Sequence, residues 1–149
     1  MRKVVLITGG AQGIGKATAI ELAQNNYDVV INYLTSEREA KELKNTLTSQ
    51  YGVNVLLYKC DVAKEKEVDA LIAYIEEQLG GVDVLINNAA IDLSSMWSTK
   101  TSDDLRKTLD VNVVGAYNVA RRVSKHMIDK KWGRIINISS TNGINTYYP

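Results

Sequence analysis

A chain of 149 residues with 45% apolar and 23% charged residues is one domain's worth of polypeptide and buries roughly 70% of its unfolded surface, which excludes a disordered chain. Eighteen basic against seventeen acidic residues leave a formal charge of +1, so no net field favours nucleic acid or an anionic membrane surface. The single Cys60 excludes an internal disulfide and a cysteine-based zinc site, and makes the cytoplasm the expected compartment.

In chain order, Met1-Arg2-Lys3 and the run Val4–Thr8 imitate a signal peptide, but the apolar stretch is shorter than the h-region of about 7 residues and meets Gly9-Gly10. It reads as a strand. Further strands are predicted at Val29–Asn32, Val53–Tyr58, Val82–Ile86 and Ile135–Ile138. All are β-branched, continuously apolar runs without alternation, as expected for a parallel sheet covered on both faces. Helices are predicted between them. Ile14, Ala17 and Ile20 suggest one apolar side of the first, and Val68, Leu71, Ile72, Ile75 and Leu79 form a stripe on the helix after the third strand. Ser36 with Glu39, and Thr101 with Asp104, each fit a polar N-cap followed three residues later by an acid. A long helix is expected from about Leu109 to Lys131, with Lys130 and Lys131 near its negative end and Gly133 just past it. No stretch approaches the ~18 apolar residues of a membrane span. The pattern is one α/β domain over 1–149, a Rossmann-type doubly wound parallel sheet with strand order 3-2-1-4-5.

The first strand runs into "TGGAQGIG", residues 8 to 15. Gly9 suits a tight turn, Gly13 admits a pyrophosphate against bare backbone, and Gly15 lets the next helix sit close. The strand–turn–helix placement points to dinucleotide binding, with helix amides offered to the phosphate around Gln12 and Ile14. Without Gly-Lys-Ser/Thr, a Walker loop is excluded. The second strand ends in "INYLTSER", where an acid would select NAD; none occurs before Glu37, so NADP is favoured over NAD, with Tyr33 a candidate cofactor contact. Arg38 reads equally as a phosphate partner or as a solvated residue in the first turn of a helix.

These residues resemble the short-chain dehydrogenases/reductases, and within them the 3-oxoacyl-acyl-carrier-protein reductase-like group. "TGGAQGIG" has the family's T-G-x-x-x-G-x-G spacing. "CDV" at 60 to 62 matches its Asp-Val after the third strand, which implies that Asp61 and Val62 meet the adenine. "NNAA" at 87 to 90 is similar to the family's Asn-Asn-Ala-Gly, with Ala90 in place of glycine, and implies Asn88 and Ala89 as cofactor contacts. "LDVNVVGAY" at 109 to 117 is similar to the helix with the family's catalytic asparagine, here Asn112. "GRIINISSTNG" at 133 to 143 resembles the segment with the catalytic serine, and Gly143 three residues on selects Ser140 over Ser139.

The residues also have plainer readings. Asp61 reads as a helix cap, Ser140 as a strand-end cap, and Asn112 as either structural or part of a proton path. Cys60 reads as a buried small hydrophobe and His126 as a solvated helix residue. Met96 and Trp97 read as pocket or loop packing. The family's proton donor lies in a Tyr-x-x-x-Lys motif beyond Pro149, and Tyr147 and Tyr148 read as loop cover instead of substitutes for it. Without the sheet's continuation, Ile135–Ile138 is expected as an exposed apolar edge, and the last helix, with Val113, Ala116, Tyr117, Ala120, Val123 and Met127, as lacking a neighbour.

The resemblance implies an NAD(P)-dependent oxidoreductase moving hydride between cofactor and a small ketone or alcohol, with a 3-oxoacyl thioester as one substrate, and homo-oligomeric assembly; the charge balance and the lack of a long apolar stretch point to no nucleic-acid or membrane partner. Lys125, Lys130, Lys131 and Arg134 form a patch suited either to an acyl carrier protein or simply to a solvated helix end. The alternative function is a dinucleotide-binding module without catalysis, or an inactive truncated fragment.

Overall fold

Five parallel strands form one sheet in the order β3-β2-β1-β4-β5 in the computed structural model, which describes residues 2–93 and 97–141. The strands are β1 (Val4–Ile7), β2 (Asp28–Tyr33), β3 (Val55–Lys59), β4 (Val84–Asn87) and β5 (Arg134–Asn137). The helices are α1 (Gly13–Gln24), α2 (Glu37–Tyr51), α3 (Glu65–Leu79), α4 (Ser102–Leu109) and α5 (Ala116–Asp129), with a short 3₁₀ turn at Trp97–Thr99. Met96, Gly143, Tyr147 and Tyr148 lie outside the described residues. The expected strand order is the one observed, although β3 begins at Val55, two residues later than its apolar run.

Because strand side chains alternate, each buried strand feeds two cores. Val5, Ile7, Val29 and Ile31 face α1 and α2, where Ala19, Ala23, Leu43 and Leu47 complete one cluster. Val4, Leu6, Val30 and Leu85 face α3 and α5, where Leu71, Ile75, Val119 and Val123 complete the other. Leu6, Ile7, Ile31, Leu71 and Leu85 are fully buried, each contributing about 1.5–3 kcal/mol by leaving water. β5 differs: it pairs with β4 through Ile86↔Ile136, yet all four of its residues are exposed.

Three local expectations need correction. The buried face of α1 is Gly15, Ala19 and Ala23, while Ile14 is 61% exposed and Ala17 also faces outward. The helix lies so near the sheet that only small side chains fit beneath it. The long last helix is divided: α4 passes through a π-helical stretch, Asp110–Gly115, into α5, so the apolar register shifts. Val123 and Met127 are therefore buried against α3, whereas Val113 and Tyr117 remain outside. His126 is not a solvated surface residue. Its side chain is 16% exposed and lies against Gly81, with Nε2 at 3.8 Å from Asp83.

The caps divide in the same way. Thr101 and Asp104 form the expected capping box, with the Asp104 amide donating to Thr101 Oγ1 and the Thr101 amide donating to Asp104. Ser36 occupies the N-cap of α2 but makes no side-chain cap bond.

Candidate functional site

The carboxyl ends of the strands turn the chain into two adjoining cavities, one on each side of the β1–α1 loop, where a doubly wound sheet reverses its strand order. The first, of about 330 Å³, is lined by Gly9, Gln12, Tyr33, Ser36, Asp61 and Val62 among others. The second, of about 710 Å³, includes Ile14, Asn88, Ala89, Asn112, Tyr117 and Ser140 in its wall.

The glycine turn has the backbone its sequence predicts. Gly9 has φ +60° and Gly13 φ +54°, both in the left-handed region. A Cβ at Gly13 would meet nothing within 4 Å, so the space over that backbone is open. At Gly15 a Cβ would lie 2.6 Å from the Gly9 carbonyl and 2.7 Å from Asn88 Nδ2. Gln12 provides no side-chain cap for α1, which leaves first-turn amides without that acceptor. Open left-handed backbone at a helix start fits the pyrophosphate of a dinucleotide.

Polar side chains hold this turn from both sides. Asn88 Nδ2 donates to the carbonyls of Thr8 and Gly9, each at 3.0 Å. Thr8 Oγ1 in return accepts the amides of Asn88 and Ala89, also at 3.0 Å. From the other flank, Asn32 Oδ1 accepts the Gly9 amide at 3.3 Å while its Nδ2 donates to the Cys60 carbonyl at 2.9 Å. Asn32 and Thr8 are buried, and neither was identified as a site residue from sequence. Their signal was a polar side chain closing an apolar strand, which is legible once the turn is known to need anchoring.

Asp61 neither caps α3, whose N-cap is Lys64, nor is spent: its Oδ1 accepts the Ala63 amide at 3.0 Å in a tight turn, and the residue lines the first cavity. Its own amide donates to Glu67 at 2.8 Å. Val62 is buried, and its Cγ2 occupies the space that a Cβ on Gly115 would need. Cys60 sits at the cavity floor, where burial, with the Glu67 and Asp61 carboxylates adding, pushes its thiol up to about 12. It is a protonated small hydrophobe at neutral pH.

On the second cavity, Asn112 stands in the π-helical stretch, and its amide is bonded to the backbone of Ile91. Ser140 is exposed just after β5 and shares that cavity with Asn112. Asn87, the buried last residue of β4, donates to Asn137 Oδ1 of β5 at 2.9 Å and to the Ala116 carbonyl of α5 at 3.3 Å. Its Oδ1 has no hydrogen-bond partner, a buried acceptor in the wall of the same cavity. Among the described residues no group of histidines, cysteines and carboxylates could hold a metal ion, and no helix is long and apolar enough to cross a membrane.

A short chain dehydrogenase family model matches residues 3–148. The chain is 38% identical over 143 residues to an acetoacetyl-CoA reductase of Paracoccus denitrificans, covering 96% of this chain and 57% of that protein. It is 33% identical over 143 residues to a 3-oxoacyl-acyl-carrier-protein reductase of Staphylococcus epidermidis, covering 96% and 58%. Among solved structures, L-sorbose reductase from Gluconobacter frateurii, complexed with NADPH and L-sorbose, superposes with a TM-score of 0.91 at 28% identity, covering 99% of this chain and 57% of that one. An NAD+-bound xylitol dehydrogenase superposes with a TM-score of 0.90 at 31% identity, covering 97% and 55%. The chain thus spans little more than half the length of the relatives it matches.

Proposed function

Because the chain belongs to the short-chain dehydrogenase family, we propose that it binds NADPH in preference to NADH and serves the reduction of a small ketone, with a 3-oxoacyl thioester as the substrate class. The observation that carries this reading is the open, left-handed backbone at Gly13, placed between two cavities at the switch point of the sheet.

In this reading Gly9, Gln12, Gly13, Ile14 and Gly15 receive the diphosphate. Tyr33, Asp61 and Val62 enclose the adenosine end in the first cavity, and Asn88 with Ala89 backs the nicotinamide end in the second. The bound nicotinamide supplies hydride to the carbonyl carbon. Ser140 holds the carbonyl oxygen, and Asn112, in the wall of the same cavity, belongs with it to the proton-side machinery. NADPH is favoured because the end of β2 carries no acid before Glu37. The thioester substrate is supported by the two reductases named above, and an acyl carrier protein is a fitting donor of it. The exposed Leu109, Val113 and Tyr117 support self-association, and the free thiol of Cys60 suits the cytoplasm.

The test has two arms. Titration calorimetry of the chain with NADPH and NADH is expected to show binding of both, tighter for NADPH; binding of neither overturns the reading. Consumption of NADPH with acetoacetyl-CoA, measured on a protein that carries this chain together with a Tyr-x-x-x-Lys segment, is expected to be lost in Ser140→Ala. Turnover unaffected by that change removes Ser140 from the site.

A further inference from the structure

The two cavities share a wall, the π-helical stretch Asp110–Gly115: Val111 lines the first and Asn112 the second. That stretch is fastened on two sides to residues of the first cavity. On one side, both ends of the Asn112 amide are bonded to the backbone of Ile91, which lines the first cavity. On the other, Gly115 lies so near Val62 that a Cβ on it would come within 2.6 Å of Val62 Cγ2. Val62 is held there from α5. Asn118, in the first turn of that helix, donates from Nδ2 to the Val62 carbonyl at 3.1 Å, and both residues are buried. Asn118 itself lines neither cavity.

We infer that Asn118 is a positioning residue that couples the two cavities: a nucleotide seated in the first settles Val62 against Gly115, which fixes the π-helical stretch and with it Asn112 in the second. The inference rests on the dinucleotide reading for the occupant of the first cavity, and concerns how that occupancy is passed on.

A π-helical turn is rare and short, so it persists where neighbours hold it and opens locally where they do not. Gly115 has no side chain with which to grip its neighbour, and its contact with Val62 lasts only while Val62 is kept in place. Asp61 Oδ1 accepts the Ala63 amide at 3.0 Å, so the turn around Val62 is closed on itself and moves as one piece. The Asn118 bond ties that piece to α5. The two states are thus a π-helical stretch clasped between Val62 and Ile91 and one opened at Gly115. A ligand that favours the clasped state in one cavity favours it equally for the other.

The experiment measures amide hydrogen exchange by NMR with and without saturating 5′-AMP, which needs no turnover. Val114 and Gly115 line neither cavity, so slowing of their amides reports the stretch and not contact with the nucleotide. In the unaltered chain both are expected to slow by about fivefold or more on binding. In Asn118→Ala, 5′-AMP is expected to bind within a few-fold of its former affinity and to slow the two amides by less than about twofold. Asn54→Ala removes a side-chain bond of the same kind at the opposite end of the sheet, from Asn54 Nδ2 to Asp28 at 3.1 Å, and is expected to keep the slowing, which separates a broken link from lost stability. Val62→Ala keeps the carbonyl bond but empties the space against Gly115, and is expected to reduce the slowing even where Asn118→Ala fails to fold. Slowing undiminished in Asn118→Ala or in Val62→Ala, or absent from an unaltered chain that binds 5′-AMP, overturns the inference and leaves the dinucleotide reading standing. Failure of the unaltered chain to bind 5′-AMP overturns both.

Discussion

Asn112 closes on the backbone of Ile91 with both ends of its amide: Oδ1 accepts the Ile91 N–H at 2.9 Å, and Nδ2 donates to the Ile91 carbonyl at 3.0 Å. A residue in the π-helical stretch thereby fixes the loop that follows Asn88 and Ala89, across 21 residues of chain. The Asn112 side chain is thus engaged with the backbone of Ile91 on the wall of the second cavity.

Replacing Asn112 with alanine removes both bonds. Each is worth about 0.5–1.5 kcal/mol, so a loss of roughly 1–3 kcal/mol is expected in urea denaturation. The Ile91 amide is expected to exchange its hydrogen faster, with little change at the amides of β1. Unchanged protection at Ile91 in the variant would show that the clasp does not hold the loop.

Gly13 and Gly15 should separate binding from stability. Asparagine tolerates left-handed backbone, and the space over Gly13 is open, so Gly13→Asn is expected to cost under about 1 kcal/mol while placing a side chain where a diphosphate would lie. Gly15→Ala drives a methyl group into the Gly9 carbonyl and Asn88 Nδ2, and is expected to cost about 1–3 kcal/mol. Thermal melts with and without NADPH measure both. Full NADPH stabilisation of the Gly13→Asn protein would place the diphosphate elsewhere.

At the opposite end of the sheet, Gly81 has φ +129° and lies under the His126 imidazole, which a Cβ would overlap. Gly81→Ala is expected to cost about 2–4 kcal/mol, from overlap and backbone strain together. Adding His126→Ala removes the overlap alone, so the double variant should be more stable than the sum of the single losses predicts. Strict additivity in the cycle would mean that backbone strain carries the whole cost.

Cys60 gives the stability a basic limb. Its thiol is raised from an ordinary 9.0 to about 12 in the fold, so the folded chain keeps a proton that the unfolded chain has lost. The contribution is fully present below pH ~9 and declines as pH rises toward ~12, with a slope of up to about 1.4 kcal/mol per unit. Denaturation of the natural chain and of Cys60→Ala across that range is expected to give curves that converge as pH rises. Parallel curves would show that the thiol is not what titrates.

The sequence by itself determined the elements and the turn between the first two of them. Apolar runs, helix periods and glycine positions act within a few residues, so Val4–Ile7, the stripe from Val68 to Ile75 and the left-handed Gly9 and Gly13 could be read directly. The strand order was legible because the family resemblance and the doubly wound pattern agree on it. Even local patterns misled where packing distance mattered: Ile14 reads as a core residue of α1, yet the close approach made possible by Gly15 and Ala19 leaves it exposed.

Only the tertiary structure decided which polar groups meet. The bonds of Gln12 to Ser36, Asn112 to Ile91 and Asn88 to Thr8 span 24, 21 and 80 residues. The packing of His126 against Gly81 is equally non-local. Hydrogen bonds and overlaps of this kind are set by distances of a few tenths of an ångström, and those distances come from how helices seat on the sheet, which no local pattern in the chain records.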